Sequence, residues 1–151
     1  MQTQSQQTEP SATTSAAVDL VQIPQQAIGQ VFPMVRGMLE GVAERSRGRW
    51  SVAGMLDRFV RGDWQLWLVW DGRPRAVVAT ELYLEMTGMK CGMIRFCTGS
   101  GAPEWSHLLS RIEDWAREEG CERLDMLARK GWAKHLPEYK LTHVELEKDL
   151  I

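Results

Sequence analysis

The stretch over residues 64–98, WQLWLVWDGRPRAVVATELYLEMTGMKCGMIRFCT, decides the fold. Its first seven residues are apolar on both faces, because Trp64, Leu66, Leu68 and Trp70 alternate with Gln65, Trp67 and Val69. A strand of that kind is covered on both sides and lies inside a sheet. Asp71-Gly72 is a two-residue hairpin signal, since the tight turns that match strand twist need residues tolerant of positive φ. It pairs the first strand with a second over residues 75–85, and Thr87-Gly88 turns the chain again into a third over residues 90–98. Three consecutive antiparallel strands follow from this pattern.

Downstream, Trp105, Leu108, Leu109, Ile112, Trp115 and Ala116 form a helical stripe ended by Gly120. Residues 123–128 read as a further strand, 131–136 as a short helical turn and 141–150 as a last strand. Upstream, residues 18–23 form a short strand closed by Pro24. Ile28, Val31, Phe32, Val35, Met38, Leu39 and Val42 then recur at helical spacing. Pro33, with Gly29, Gly37 and Gly41, predicts a kink or a break in that helix. Ser51 can N-cap a second helix carrying Val52, Met55, Leu56, Phe59 and Val60, stopped by Gly62. An antiparallel meander followed by a β-α-β crossover gives an α/β (α+β) domain: a mixed, mostly antiparallel sheet flanked by helices.

With 151 residues there is room for one domain. A net charge of −2 does not ask for nucleic acid, and no apolar run approaches the roughly 18 residues that cross a bilayer. The first twenty residues have neither the basic nor the apolar region of a secretory signal. Three cysteines make no disulfide framework; Cys91 and Cys97 are about 20 Å apart at strand rise and cannot bridge. His107, His135 and His143 show no metal-ligand spacing, so no metal site is expected. The compartment expected is reducing and cytosol-like. Residues 1–17 are mainly Gln, Ser, Thr and small residues and are expected to be a disordered polar tail before a domain over 18–151.

This element order, together with LLSRIEDWAREEGCERLDML (108–127) and RKGWAKHLPEYKLTHVELEKDL (129–150), resembles the GNAT superfamily of N-acetyltransferases over residues 18–150. More narrowly it is similar to small acetyltransferase-like proteins of tailed phages. The resemblance implies a GNAT-like acyl-CoA N-acyltransferase fold, acetyl-CoA as cofactor and an amine as acceptor. It also implies that the cofactor's pyrophosphate sits where the fourth strand meets the next helix, at free backbone N–H groups and a positive dipole end. The family's signature there is Q/R-x-x-G-x-G/A. Here Ser100 falls at the Arg or Gln position, and Pro103 and Trp105 at the two glycines. Pro103 has no N–H, Trp105 puts an indole where close approach is required, and Glu104 adds negative charge. A displaced nest from Gly99, Ser100 and Gly101, with Thr98 and Ser106 beside it, makes these five the cofactor-binding candidates.

For catalysis the resemblance implies a strand carboxylate as general base and a tyrosine on the last helix as acid. Glu81 and Glu85 share a strand face with Tyr83 and are the candidate bases; either can equally be half of a cross-strand ion pair. With the turn centred on Gly88, Glu81 lies opposite Arg95 and Glu85 opposite Cys91; a one-residue shift sets Glu85 against Lys90. Trp132 falls where the family's tyrosine belongs, and its N–H is too weak an acid to serve a thiolate. Tyr139 is the nearby phenol, as acid or as a packing aromatic.

Two basic spots remain. Arg45, Arg47 and Arg49 form an R-x-R-x-R loop that can face solvent, a phosphate, nucleic acid or an acidic partner. Arg129, Lys130 and Lys134 fall on the cofactor side. The competing expectation is a catalytically degraded scaffold, a structural or interaction component of a phage particle. The partners expected are therefore an amine substrate or phage structural proteins, with a further copy of the chain possible and no membrane or nucleic acid. The location expected is cytoplasmic, in the host cytoplasm or the virion. One geometric expectation carries the transferase case: the fourth and fifth strands must part and leave a thioester-sized slot.

Overall fold

A computed structural model describes residues 17–151. The polar tail expected over residues 1–17 lies, but for its last residue, outside the described residues. The sheet is built from β1 (Asp19–Ile23), β2 (Gln65–Trp70), β3 (Pro74–Leu84), β4 (Lys90–Gly99) and β5 (Arg123–Met126), in that spatial order. Neighbours are antiparallel except β4 and β5, which are parallel. The expected class is the one observed: a mixed, mostly antiparallel sheet with helices on both faces.

Alternation on β2 assigns the two cores. Leu66 and Leu68 face α1 (Ile28–Arg45) and α2 (Val52–Arg61), joining Val35, Leu39, Met55, Phe59, Val77 and Phe96. Trp67 and Val69 face the other side, where Val78, Ile94, Trp105, Leu109 and Ile112 pack. That second face is covered by α3 (Ala102–Trp105), a 3-10 turn, and α4 (Ser110–Glu118). The Trp67 indole N–H, buried by this layer, donates to Thr80 Oγ1 at 3.0 Å, and Thr80 donates in turn to Gln65 at 2.9 Å. A buried polar chain that is satisfied in this way adds no desolvation penalty.

The Ser51 hydroxyl accepts from the Gly54 amide at 3.0 Å and starts α2; Gly62, at φ 79°, ends it. Pro33 does not break the first helix. α1 runs unbroken from Ile28 to Arg45 because its buried stripe, Ile28, Val35, Leu39 and Val42, is held on the sheet on both sides of the proline.

The β3–β4 register differs from both alternatives read from the turn. Leu84 pairs with Lys90, Tyr83 with Cys91 and Glu81 with Met93. Further along, Thr80 pairs with Ile94 while Ala79 pairs with Phe96, so Arg95 is an extra residue in β4. Such a bulge bends and twists its strand. The last strand expected over residues 141–150 is not in the sheet: those residues form no ladder, and Leu141, Val144 and Leu146 are exposed. Ion pairs described below hold the segment against the loop between α1 and α2 instead.

Candidate functional site

The bulge at Arg95 sits where β5 leaves β4. β5 pairs with Cys91 to Ile94 only, and the Leu127 amide makes a last bond to the Ile94 carbonyl at 3.0 Å. β4 continues from Arg95 to Gly99 with no strand partner on that side among the described residues. The strands therefore part, and the gap between them belongs to an open depression of about 2240 Å³ that also takes in the end of α1, the β3–β4 turn and the C-terminal segment. Phe96, Cys97 and Thr98 of β4 line one wall, Leu127, Ala128 and Trp132 the other, and Tyr139 and the C-terminal segment lie across it. The slot that the transferase reading requires is present. The Trp132 ring lies 5.6 Å from that of Trp105, tilted against it, and lines the cleft.

At the upper end of the cleft the candidate cofactor residues divide. The Thr98 hydroxyl accepts from Arg45 at 3.0 Å, and both residues line the cleft with Gly99. Gly99, at φ 135°, packs so closely on β3 that an added Cβ would stand 2.3 Å from the Arg75 carbonyl oxygen. Ser100 is used in holding the loop: its amide donates to that same carbonyl at 3.1 Å, and its own carbonyl accepts from the Trp105 indole at 2.9 Å. Trp105 thus turns inward and buries its ring. Gly101, at φ 73°, precedes α3. Ser106 begins the 3-10 turn after α3, away from the cleft's lining residues.

The loop also holds a carboxylate. Arg75, largely buried on β3, donates to Asp71 at 2.6 Å and to Glu104 at 2.9 Å. A Cβ on Gly101 would stand 2.6 Å from Arg75 Nη2 and 3.2 Å from Glu104 Oε2. An anion, supplied by the chain itself, therefore lies over the glycine that a diphosphate would approach. Glu104 is exposed, whereas Arg75 Nε and Asp71 Oδ1 are buried without a hydrogen-bond partner among the described residues.

At the lower, closed end lies a four-residue staple. Arg123 donates to Glu85 at 2.5 Å, to Asp125 at 3.0 Å and to Tyr83 at 3.1 Å, while the Tyr83 hydroxyl donates to Asp125. Burial, and then the bond to Asp125, pushes the Tyr83 phenol up to about 12. The staple ties β3 to β5 across β4. Glu85, one candidate base, is in it and on the cleft wall. Glu81, the other, is bound by the bulged Arg95 and is not on the wall. Both carboxylates are thus in ion pairs.

Tyr139 is different. Its hydroxyl is buried beside the cleft with no hydrogen-bond partner among the described residues. Burial first, and then the negative field of Glu113, raises its pKa, so the phenol keeps its proton throughout the neutral range. On the same cleft wall the Cys97 thiol is also pushed up by burial, which leaves it a poor nucleophile.

Sequence reasoning missed Arg75 and the partners of the R-x-R-x-R loop. Arg47 donates to Glu147 at 2.6 Å and lies 3.7 Å from Asp149. Arg49 donates to Glu145 at 3.2 Å and also to Glu147. A signal was present: basic residues at spacing two over 45–49 match acidic residues at spacing two over 145–149. The second basic spot is unpaired: Arg129, Lys130 and Lys134 form no ion pair among the described residues, and the first two line the cleft.

No family model matches the chain and no curated protein is significantly similar to it. Solved structures show the fold. An aminoglycoside acetyltransferase from an uncultured soil metagenomic sample, in complex with sisomicin, superposes with a TM-score of 0.65 at 10% identity, over 89% of this chain and 97% of that one. The ribosomal-protein-alanine N-acetyltransferase of Brucella melitensis biovar Abortus 2308 gives 0.58 at 15% identity, over 89% and 98%. The glucosamine-6-phosphate N-acetyltransferase of Arabidopsis thaliana gives 0.61 at 10% identity, over 89% and 99%. The chain therefore has the acetyltransferase fold, the GNAT-like architecture expected from its element order. No helix among the described residues is long and apolar enough to cross a membrane.

Proposed function

We propose that the chain is an N-acyltransferase that moves an acyl group from acetyl-CoA to an amine in the cleft between β4 and β5. The observation that carries this reading is the parting of the two strands beyond Ile94. The free edge from Arg95 to Gly99 offers backbone amides and carbonyls to an extended arm lying in the gap, and positioning there lowers the entropic barrier to transfer. The residues fit the cofactor's arm as they stand. They fit its diphosphate once Glu104 has moved off Arg75, with Arg129 and Lys130 near the mouth for further phosphate charge.

When bound, acetyl-CoA supplies the activated thioester. Tyr139 is the phenol at the cleft; with its pKa raised by burial and by Glu113, it can orient a departing thiolate through a hydrogen bond but is too weak an acid to protonate it. Glu85 is the candidate base only once it leaves Arg123, which holds it at 2.5 Å beside the paired stretch of β4 and β5. Calorimetry and thermal unfolding with acetyl-CoA test the reading. A ligand at a hundredfold excess over its Kd stabilises the fold by about 2.7 kcal/mol, so heat and a raised midpoint are expected. Neither effect at millimolar cofactor overturns it.

The Arg75–Glu104 pair favours a second reading, in which the fold has lost its cofactor and serves as a structural component of a phage particle. Recovery of the chain in purified virions, with no turnover of acetyl-CoA, would select that reading and place it outside the host cytoplasm.

A further inference from the structure

The basic loop after α1 and the acidic end of the chain fit one another residue by residue. Arg47 sits in the left-handed region at φ 56° and is followed by Gly48 at φ 81°, a backbone that turns the loop and leads into Arg49. Glu145, Glu147 and Asp149 alternate along an extended segment, so all three project from one side of it. Arg47 takes Glu147 and Asp149, and Arg49 takes Glu145 and Glu147. Arg45 is directed elsewhere, onto Thr98 of β4. Arg49, Glu145 and Glu147 line the same cleft as the free edge of β4 and Tyr139. Between the bound acids stands Lys148, an amine with no ion pair among the described residues.

Residues 141–151 have no strand partner among the described residues, and Val144, Leu146 and Leu150 are exposed. Ion pairs join this segment to the loop, and Glu145 and Asp149 remain about three-quarters exposed while paired, at 76% and 74%. Contacts of that kind are weak singly and exchange readily.

We infer that Arg47 and Arg49 form an acceptor-side subsite for an extended acidic segment of E-x-E pattern, and that the chain's own C-terminus is its resident occupant. The partner is a polypeptide segment with carboxylates at alternate positions. The resident segment competes with such a partner and is displaced by it. Binding is independent of acetyl-CoA; only the acetylation of the bound amine rests on the transferase reading above.

The test uses the full chain and, as probe, a fluorescent peptide of residues 141–151. Three proteins are compared: wild type, E145Q/E147Q, and E145Q/E147Q carrying also R47Q and R49Q. All four positions are exposed or half-exposed at the surface, so these variants keep the cores intact. The expected result is that E145Q/E147Q binds the probe about tenfold more tightly than wild type, because its own segment no longer competes. Binding should be lost in the quadruple variant and weaken as salt is raised. Failure of E145Q/E147Q to bind at millimolar peptide, or equal binding by the quadruple variant, overturns the inference. Mass spectrometry of the bound peptide with acetyl-CoA separates the two proposals. Binding without acetylation leaves the subsite standing and counts against the transferase; acetylation of other amines without peptide binding does the reverse.

Discussion

Tyr139 buries a hydroxyl at the cleft beside the Glu113 carboxylate. Tyr139→Phe is expected to change stability in urea by no more than about 1 kcal/mol while lowering kcat for acetyl transfer. A purely packing role would leave kcat unchanged. Glu147 carries a second expectation at this scale. Hydrogen bonds from Arg49 and then Arg47 hold its carboxyl below the ordinary glutamate range. A depressed carboxylate stabilises its contact above the unfolded pKa and loses it as pH falls through the folded one. The C-terminal segment should therefore stay docked at neutral and mildly acidic pH and come free only as pH falls below the ordinary glutamate range, which limited proteolysis or amide NMR of residues 141–151 would record.

Among the elements, the loop from β4 into α3 is the least tolerant of change. Gly99 lies against the backbone of Arg75 and Ala76, with no flexible side chain to yield. Gly99→Ala is expected to cost about 2–3 kcal/mol and to disturb the upper end of the cleft, measurable as a lowered urea midpoint. The Ser51 cap of α2 is a milder case: Ser51→Ala should cost about 1 kcal/mol, with the m-value unchanged. Most element identities were legible because local patterns suffice for them. The two-sided β2 and the β2–β3 hairpin read correctly, although the hairpin's loop holds three residues, Asp71 to Arg73, beside a bulge. The helix expected to carry Trp105 to Ala116 is split into α3, a 3-10 turn and α4. Pro33 did not read correctly, since its local penalty is outweighed by core residues on both sides of it. The bulge at Arg95 left no local mark either; it comes from the demands of two faces at once, with Ile94 packing on one core and Phe96 on the other.

For the whole molecule, charge joins the C-terminal segment to the rest, where a sheet ladder was expected. Deleting residues 141–151 should shift the thermal midpoint by only a few degrees, because surface ion pairs contribute about 0–1 kcal/mol each. The same deletion should leave the hydrogen-exchange protection of β2 and β3 unchanged. A large loss of protection there would mean that the segment completes the sheet in solution.

The amino-acid sequence on its own determined the order of elements, the central place of β2 and the mixed sheet, since these follow from alternation, helical spacing and turn chemistry within short windows. It also carried the candidate residues, with each carboxylate left open between base and ion pair. Tertiary structure decided the rest. Only folding brings Arg95 onto Glu81, sets Arg75 under Glu104, buries the Tyr139 hydroxyl beside Glu113, and draws residues 145–149 onto 47–49. The physical reason is that electrostatic and hydrogen-bond partners are chosen by distance in space, which a one-dimensional pattern does not contain. The parting of β4 and β5 belongs to the same class, because it depends on where a bulge meets the end of a ladder.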